Sequence, residues 1–317
     1  MAHGGVVVFF VGIAAAISLA LGYVLQQRVA AHASKSTLLS YRLLWELMHK
    51  PVWWGGIGCM VVGQLLGGLA LDMASVALVE PLLSTSLLFA FVIAAILSDQ
   101  RVRWFEVVGA LLVSAALGLF IAVGNPHSSS SPAPNRAVIV LAVCVVAAVV
   151  LVLVSIAKRR GMVGESVLFA TGAGLLYGMQ DAGTRAGLLV ADHHGFAAMF
   201  LNPWIYVVVG AAAIGILLSQ SAFRLARLDY SLPPIAVAEP VAGIALGVSL
   251  LGDVVSVDIL GLAVEAACLA AMIAGVALIG RSSALADNGT APPAELTEPG
   301  AASPVGRAAP AGPTSPL

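Results

Sequence analysis

The sequence predicts an all-α polytopic membrane protein with about nine transmembrane helices, laid out as two inverted four-helix repeats plus a connecting helix. Three observations predict it: a composition too apolar for a water-facing surface, a succession of apolar runs of spanning length, and a one-sided placement of the basic residues.

Of the 317 residues, 60% are hydrophobic and only 10% are charged. A soluble domain carries about 25% charged residues, because its surface must be wetted. Lipid is therefore the solvent for most of this surface. A net charge of -1 gives no basic footprint for nucleic acid. Cys59, Cys144 and Cys268 all lie in apolar runs, at no spacing that suggests a disulfide framework or a metal site. No Lys or Arg precedes the first apolar run, so that run reads as a span and not as a cleaved signal.

The expected spans are Val6–Leu25, Trp53–Leu71, Val76–Leu97, Phe105–Val123, Ala137–Ile156, Val167–Leu188, Trp204–Phe223, Leu232–Leu251 and Ile259–Ile279. The sixth is the most polar, holding Gln180, Asp181 and Arg185 in its second half. Asp72 to Ser75 leaves room only for a tight hairpin between the second and third. Segment 125–136, with its serines and prolines, reads as a flexible loop. From Arg281 onward the chain is rich in Ala, Pro, Gly, Ser and Thr and reads as a disordered tail. Between the first two spans, Lys35–Lys50 alternates leucines with basic residues and reads as an amphipathic helix on the membrane surface. Trp53, Trp54 and Trp204, at span ends, read as interfacial anchors.

With nine spans, thirteen of the fifteen Lys and Arg residues fall on one side, and only Arg136 and Arg185 on the other. That bias marks the basic side as cytoplasmic. The expected topology is multi-pass in the plasma membrane, N-terminus outside and C-terminus inside.

The chain also resembles itself. The first span ends Gly22-Tyr23-Val24-Leu25-Gln26, and the sixth carries Tyr177-Gly178-Met179-Gln180. Gln64 and Leu71-Asp72 of the second are echoed by Gln220 and Leu228-Asp229 after the seventh. Glu80-Pro81 leads to Asp99, and Glu239-Pro240 leads to Asp253. The division is then residues 1–124 as the first repeat, 125–160 as loop and connecting helix, 161–281 as the second repeat and 282–317 as the tail. An odd connector inverts the second unit relative to the first, a recurring plan of secondary transporters.

The stretch from Leu228-Asp229-Tyr230-Ser231 through Glu239-Pro240 to Leu251-Gly252-Asp253 resembles the EamA-type repeat of the drug/metabolite transporter superfamily. Pro81-Leu82-Leu83 to Ser98-Asp99-Gln100-Arg101-Val102 is similar to the NIPA branch, whose members are associated with magnesium transport. Both acidic turns carry Asp where the family pattern has Glu. The resemblance covers residues 6–280 and implies a membrane transporter.

An ionised carboxylate inside hydrocarbon must be paired, hydrated or protonated, so Glu80 and Glu239 are candidates for binding a substrate or coupling ion. Pro81 and Pro240, beside them, each remove a backbone donor and can free carbonyls toward a cavity. Gln26, Gln64, Gln180 and Gln220 can line a path or join helices. Glu265 reads as a helix-joining group. Asp181 and Arg185, four apart on one helical face, read as a local ion pair with no substrate role. Asp192-His193-His194 reads as a solvated loop. There is no GxxxxGK[ST], no HExxH and no nucleophile–base arrangement, so the expectation is a non-enzyme with no cofactor and no bound metal. Its partners would be the lipid bilayer and a small-molecule or cation substrate. Three functions compete: an ion- or proton-coupled carrier of a small metabolite or drug-like solute, a NIPA-like divalent cation (Mg²⁺) transporter, and a non-transporting scaffold in envelope assembly.

Overall fold

The computed structural model describes residues 2–33, 38–73, 79, 82–98, 104–124, 136–195, 198, 201–251 and 259–289. Its elements are ten helices, with no strand among the described residues. They are α1 (Ala2–Ala30), α2 (Tyr41–Met48), α3 (Pro51–Met73), α4 (Ser86–Ser98), α5 (Trp104–Gly124), α6 (Arg136–Ala157), α7 (Met162–His194), α8 (Pro203–Leu225), α9 (Leu228–Leu251) and α10 (Ile259–Gly289). Eight of these are long and apolar enough to cross a membrane. Each matches one of the nine expected spans, α7 included: its polar second half continues as one helix through Asp192-His193-His194, which are helical rather than a loop. Without water, intrasegment hydrogen bonds satisfy the backbone most simply, so even this stretch stays helical.

The remaining expected span differs. Its described part is a shorter apolar helix, Leu82–Leu97, interrupted by a turn at Thr85. There the Thr85 hydroxyl bonds back to the Leu82 carbonyl at 2.5 Å. The amphipathic segment is also shorter than expected, starting at Tyr41, where the Ser40 hydroxyl caps the Arg42 N–H at 3.3 Å. At the other end of the chain α10 runs past Arg281 to Gly289, into the segment whose composition reads as tail. Two of the three tryptophans read as anchors are instead core residues: Trp53 and Trp204 are buried, and only Trp54 is exposed.

Several helix pairs close up where glycine removes a side chain, the usual device where lipid gives no hydrophobic drive for association. α1 meets α3 where a Cβ on Gly56 would sit 3.1 Å from the Gly22 carbonyl. α7 meets α9 at Gly174 and Gly178, and Gly215 of α8 receives the Tyr177 ring. α5 crosses α10 at Gly109 and Gly275, where a Cβ on Gly109 would come within 2.8 Å of the Gly275 carbonyl. α6, the connecting helix, packs chiefly on α7, and only 11% of its spanning window is buried. Large apolar side chains such as Leu65, Ile96, Leu141, Leu151 and Ile273 lie exposed around the bundle, as a lipid-solvated surface requires.

Long-range contacts bring one set of helix ends together. The Arg224 guanidinium Nε, at the end of α8, donates to the Ala33 carbonyl just past α1. The Leu39 N–H donates to Ser221 Oγ at 3.2 Å, and Ser166 Oγ of α7 donates to the Ala222 carbonyl at 2.9 Å. Arg227 and Asp229 (3.4 Å apart) lie at the α8–α9 junction, beside Glu106 in the first turn of α5 and Phe91 and Ala94 of α4. Arg28, Arg42, Lys50, Arg224 and Arg227 therefore share this end of the bundle.

Candidate functional site

A cavity of about 520 Å³ lies among α1, α3, α4, α5, α7 and α9. Most of its wall is apolar, and seven side chains bring polar atoms to it: Tyr23, Gln64, Ser84, Ser86, Ser114, Asp181 and Glu239. Gln64, Ser114 and Glu239 fall in the central turns of α3, α5 and α9, so in a bilayer this part of the cavity would lie near mid-depth, while Ser84 and Ser86 flank the turn at the start of α4.

Glu239 is positioned by two local features. First, α9 is pressed against α7. A Cβ on Gly174 would stand 2.8 Å from the Ile235 carbonyl and 3.1 Å from the Glu239 amide nitrogen. One on Gly178 would run into the Glu239 carbonyl and come within 2.6 Å of the Gly243 nitrogen. Second, α9 carries Pro233, Pro234 and Pro240 yet stays helical throughout, so Pro240 does not break it as its sequence position suggested. What the proline does is local: it cannot donate to the carbonyl four residues back, that of Ala236, and Ala236 and Pro240 both line the cavity. Tyr23 lies near Glu239, Tyr177 and Asp181, and Tyr177 lies near Glu239. The Tyr177 hydroxyl is hydrogen-bonded to Ser219 Oγ at 2.9 Å, which ties this cluster to α8.

On the far wall the interrupted α4 segment is stitched to α5. Ser84 Oγ donates to the Ser114 carbonyl at 3.1 Å, and Ser114 Oγ donates to the Ser84 carbonyl at 2.8 Å. The reciprocal pair satisfies backbone groups at the turn, where a spanning helix would otherwise leave them exposed to an apolar medium.

Of the residues singled out in the sequence, Glu239, Pro240 and Gln64 line this cavity. Glu80 and Pro81 lie outside the described residues, although Leu83 and Ser84, just beyond them, also line it. Gln26 and Gln220 are buried outside the lining and bond to each other across α1 and α8, with Gln220 Nε2 donating to Gln26 Oε1 at 2.5 Å. Gln180 is half-buried on α7 and Glu265 half-buried on α10, both away from the lining. Asp181, read as a local partner of Arg185 with no substrate role, also lines the cavity. Its place was hidden in the sequence by Arg185, which offers a sufficient local partner at the right spacing. Tyr23 appeared in the sequence only as part of the internal repeat, and Ser114 carried no signal of its own.

The Gln26–Gln220 pair makes a checkable contribution. Gln26 Nε2 also reaches Met60 Sδ at 2.7 Å, so the two amides link α1, α3 and α8. Gln26→Leu and Gln220→Leu made singly and together are expected to show a coupling of about 0.5–2 kcal/mol in a double-mutant cycle of unfolding in detergent. Strict additivity would mean that the pair holds nothing together.

Over 244 residues the chain is 26% identical to an uncharacterized protein of Corynebacterium glutamicum, a match covering 76% of this chain and 83% of that protein. A shorter stretch of 65 residues is 31% identical to the probable magnesium transporter NIPA2 of Arabidopsis thaliana, covering 20% of this chain and 19% of that protein. No family model matches the sequence. No solved structure matches it either. The spanning helices and the partial similarity to a magnesium transporter together support a membrane transporter.

Proposed function

We propose that this protein is a secondary transporter of the plasma membrane that moves a small solute by alternating access, coupled to protons or another ion. The observation that carries this reading is the mid-depth cavity holding two carboxylates, Glu239 and Asp181, from facing helices. Intramembrane carboxylates are expensive and mark substrate or ion pathways. The helix pairings support an inverted repeat: α1 packs on α3 as α7 packs on α8, while α5 and α10, the last helices of the two units, pack on each other. In this reading residues 1–124 and 161–281 rock about the cavity, and the hydrogen bonds at the basic end, from Ala33 to Arg224 and from Leu39 to Ser221, hold the cytoplasmic side together in the state seen here.

A divalent cation as substrate is the second reading, and the similarity to the probable magnesium transporter favours it. Mg²⁺ keeps most of its water and needs only one or two carboxylates, so a roomy site with Glu239 and Asp181 suits it. Purified protein in liposomes loaded with a Mg²⁺ indicator separates the two readings. Mg²⁺ influx in the absence of any organic solute establishes the second. Proton movement that appears only when a solute pool is added establishes the first. Neither signal, with protein shown to be folded and inserted, leaves the scaffold.

Orientation is tested separately. Reporters fused after Arg281 and within 157–164 are expected to read cytoplasmic, and those within 125–136 external, because thirteen of fifteen basic residues fall on the first side. A cytoplasmic reading at 125–136 would remove the inverted arrangement.

A further inference from the structure

A second cavity, of about 360 Å³, lies at the basic end and shares no lining residue with the cavity of Glu239 and Asp181. Arg28, Val29, His32 and Ala33 from the end of α1, Glu46 and Leu47 of α2, and Lys50, Pro51 and Val52 at the start of α3 enclose it. Arg28 and His32 are one turn apart on the same face, and the His32 Nδ1–H donates to the Arg28 carbonyl at 2.8 Å. Lys50 reaches the same space from α3's start. Glu46 is the single acid of the lining and has an interaction of its own. The walls thus present two cations, Arg28 and Lys50, against one carboxylate.

The surroundings say what kind of anion fits. α2 buries Leu43 and Leu47 against the bundle and turns Tyr41, Trp45 and Met48 outward. Trp54 is half exposed, and its Nε1 donates to the Met48 carbonyl at 2.8 Å. Amphipathic aromatic side chains exposed beside basic residues place this ring of structure at headgroup level. One wall, Val52, opens onto an exposed strip of α3 where Gly55 and Gly58 follow at helical spacing with no atom within 4 Å of where a Cβ would stand. A bare glycine track leading from a cationic pocket toward the hydrocarbon suits an acyl chain attached to a phosphate.

We propose that this pocket is a binding site for an anionic phospholipid, its phosphodiester held by Arg28 and Lys50 and one acyl chain lying along the Val52–Gly55–Gly58 face of α3. The site involves the end of α1, whose neighbouring Ala33 carbonyl is held by Arg224 of α8, so an occupying lipid would brace the junction between the halves. It is independent of what the central cavity carries.

The test uses the full chain in micelles supplemented with dioleoylphosphatidylglycerol or dioleoylphosphatidylcholine. Bound lipid is counted by native mass spectrometry, and thermal unfolding is followed in parallel. The wild type is expected to prefer the glycerol lipid and to be stabilised by it. Arg28→Gln and Lys50→Gln should each weaken that preference by about fivefold, the effect of one cation at a membrane surface. Glu46→Gln should strengthen it, a gain that misfolding cannot imitate. Arg42→Gln, an exposed cation on α2 that does not line the pocket, should leave it unchanged. Three results would overturn the proposal: no preference between the lipids, an Arg42→Gln loss equal to that of Lys50→Gln (diffuse surface charge), or displacement of the lipid by millimolar inorganic phosphate (a soluble anion site).

Discussion

Glu239→Gln is expected to remove coupled transport while leaving membrane insertion and abundance near those of the wild type. The substitution keeps the shape of the side chain and leaves an amide that can still hydrogen-bond, while it takes a charge out of an apolar region, so the cost to folding should be small. Transport does, because a neutral amide can neither release a proton nor pair with a cation at the cavity wall that Glu239 shares with Asp181. A fall in coupled flux of about tenfold or more, equal to about 1.4 kcal/mol of lost interaction at the rate-determining state, is the expected size. The pH profile of whatever flux survives should flatten. Asp181→Asn should share the phenotype in milder form, since Asp181 lies at the same cavity but has Arg185 one turn away. The readout is substrate-dependent proton or cation movement in liposomes. Unchanged flux with an unchanged pH profile in the Glu239→Gln protein would take this residue out of the mechanism and leave it a structural role.

Gly178→Val is expected to cost the fold itself. A Cβ at 178 collides with backbone, the Glu239 carbonyl and the Gly243 nitrogen (2.6 Å), besides meeting the Ala242 Cβ at 2.7 Å. Side chains can rotate out of an overpacked site, but two helix backbones can only move apart. The penalty should therefore reach or exceed the upper end of the usual overpacking range, about 3 kcal/mol. Separating α7 from α9 would also move Glu239 relative to Asp181. Yield of monodisperse protein and its thermal inactivation in detergent should both drop sharply. The structure supplies two internal controls. Gly210→Val, where nothing lies within 4 Å, should be nearly neutral. Gly243→Ala, whose added Cβ meets only Gly178 at 3.8 Å, should be tolerated even though it lines the same cavity. Equal behaviour of Gly178→Val and Gly210→Val would refute the α7–α9 contact that positions the site.

The two faces of the glycine pair also show where reading a membrane sequence stops. Gly178 and Gly243 look alike in the chain, each a small residue in an apolar helix. A Cβ on Gly178 would enter the backbone of α9, whereas one on Gly243 would meet only Gly178 at 3.8 Å.

By itself, the sequence determined that the chain is helical and roughly where eight of the nine expected crossings begin and end. These are local properties: a run of about 20 apolar residues satisfies its own backbone in lipid as a helix, whatever its neighbours do. It also determined that Glu239 beside Pro240 would be an unusual group, because a carboxylate in the middle of such a run is costly wherever it points. Only the tertiary structure decided which polar groups share a space. It placed Asp181 at the cavity although Arg185 offered it a local partner, and it took Gln26 and Gln220 out of the path by bonding them to each other. It also buried Trp53 and Trp204, which their positions at span ends had marked as surface anchors. The physical reason is the solvent. In water, an apolar stripe tells which face of a helix is inside. In lipid, the outside is as apolar as the inside, so the face that meets a cavity is chosen by helix-to-helix contact, and that choice leaves little trace in the order of the residues.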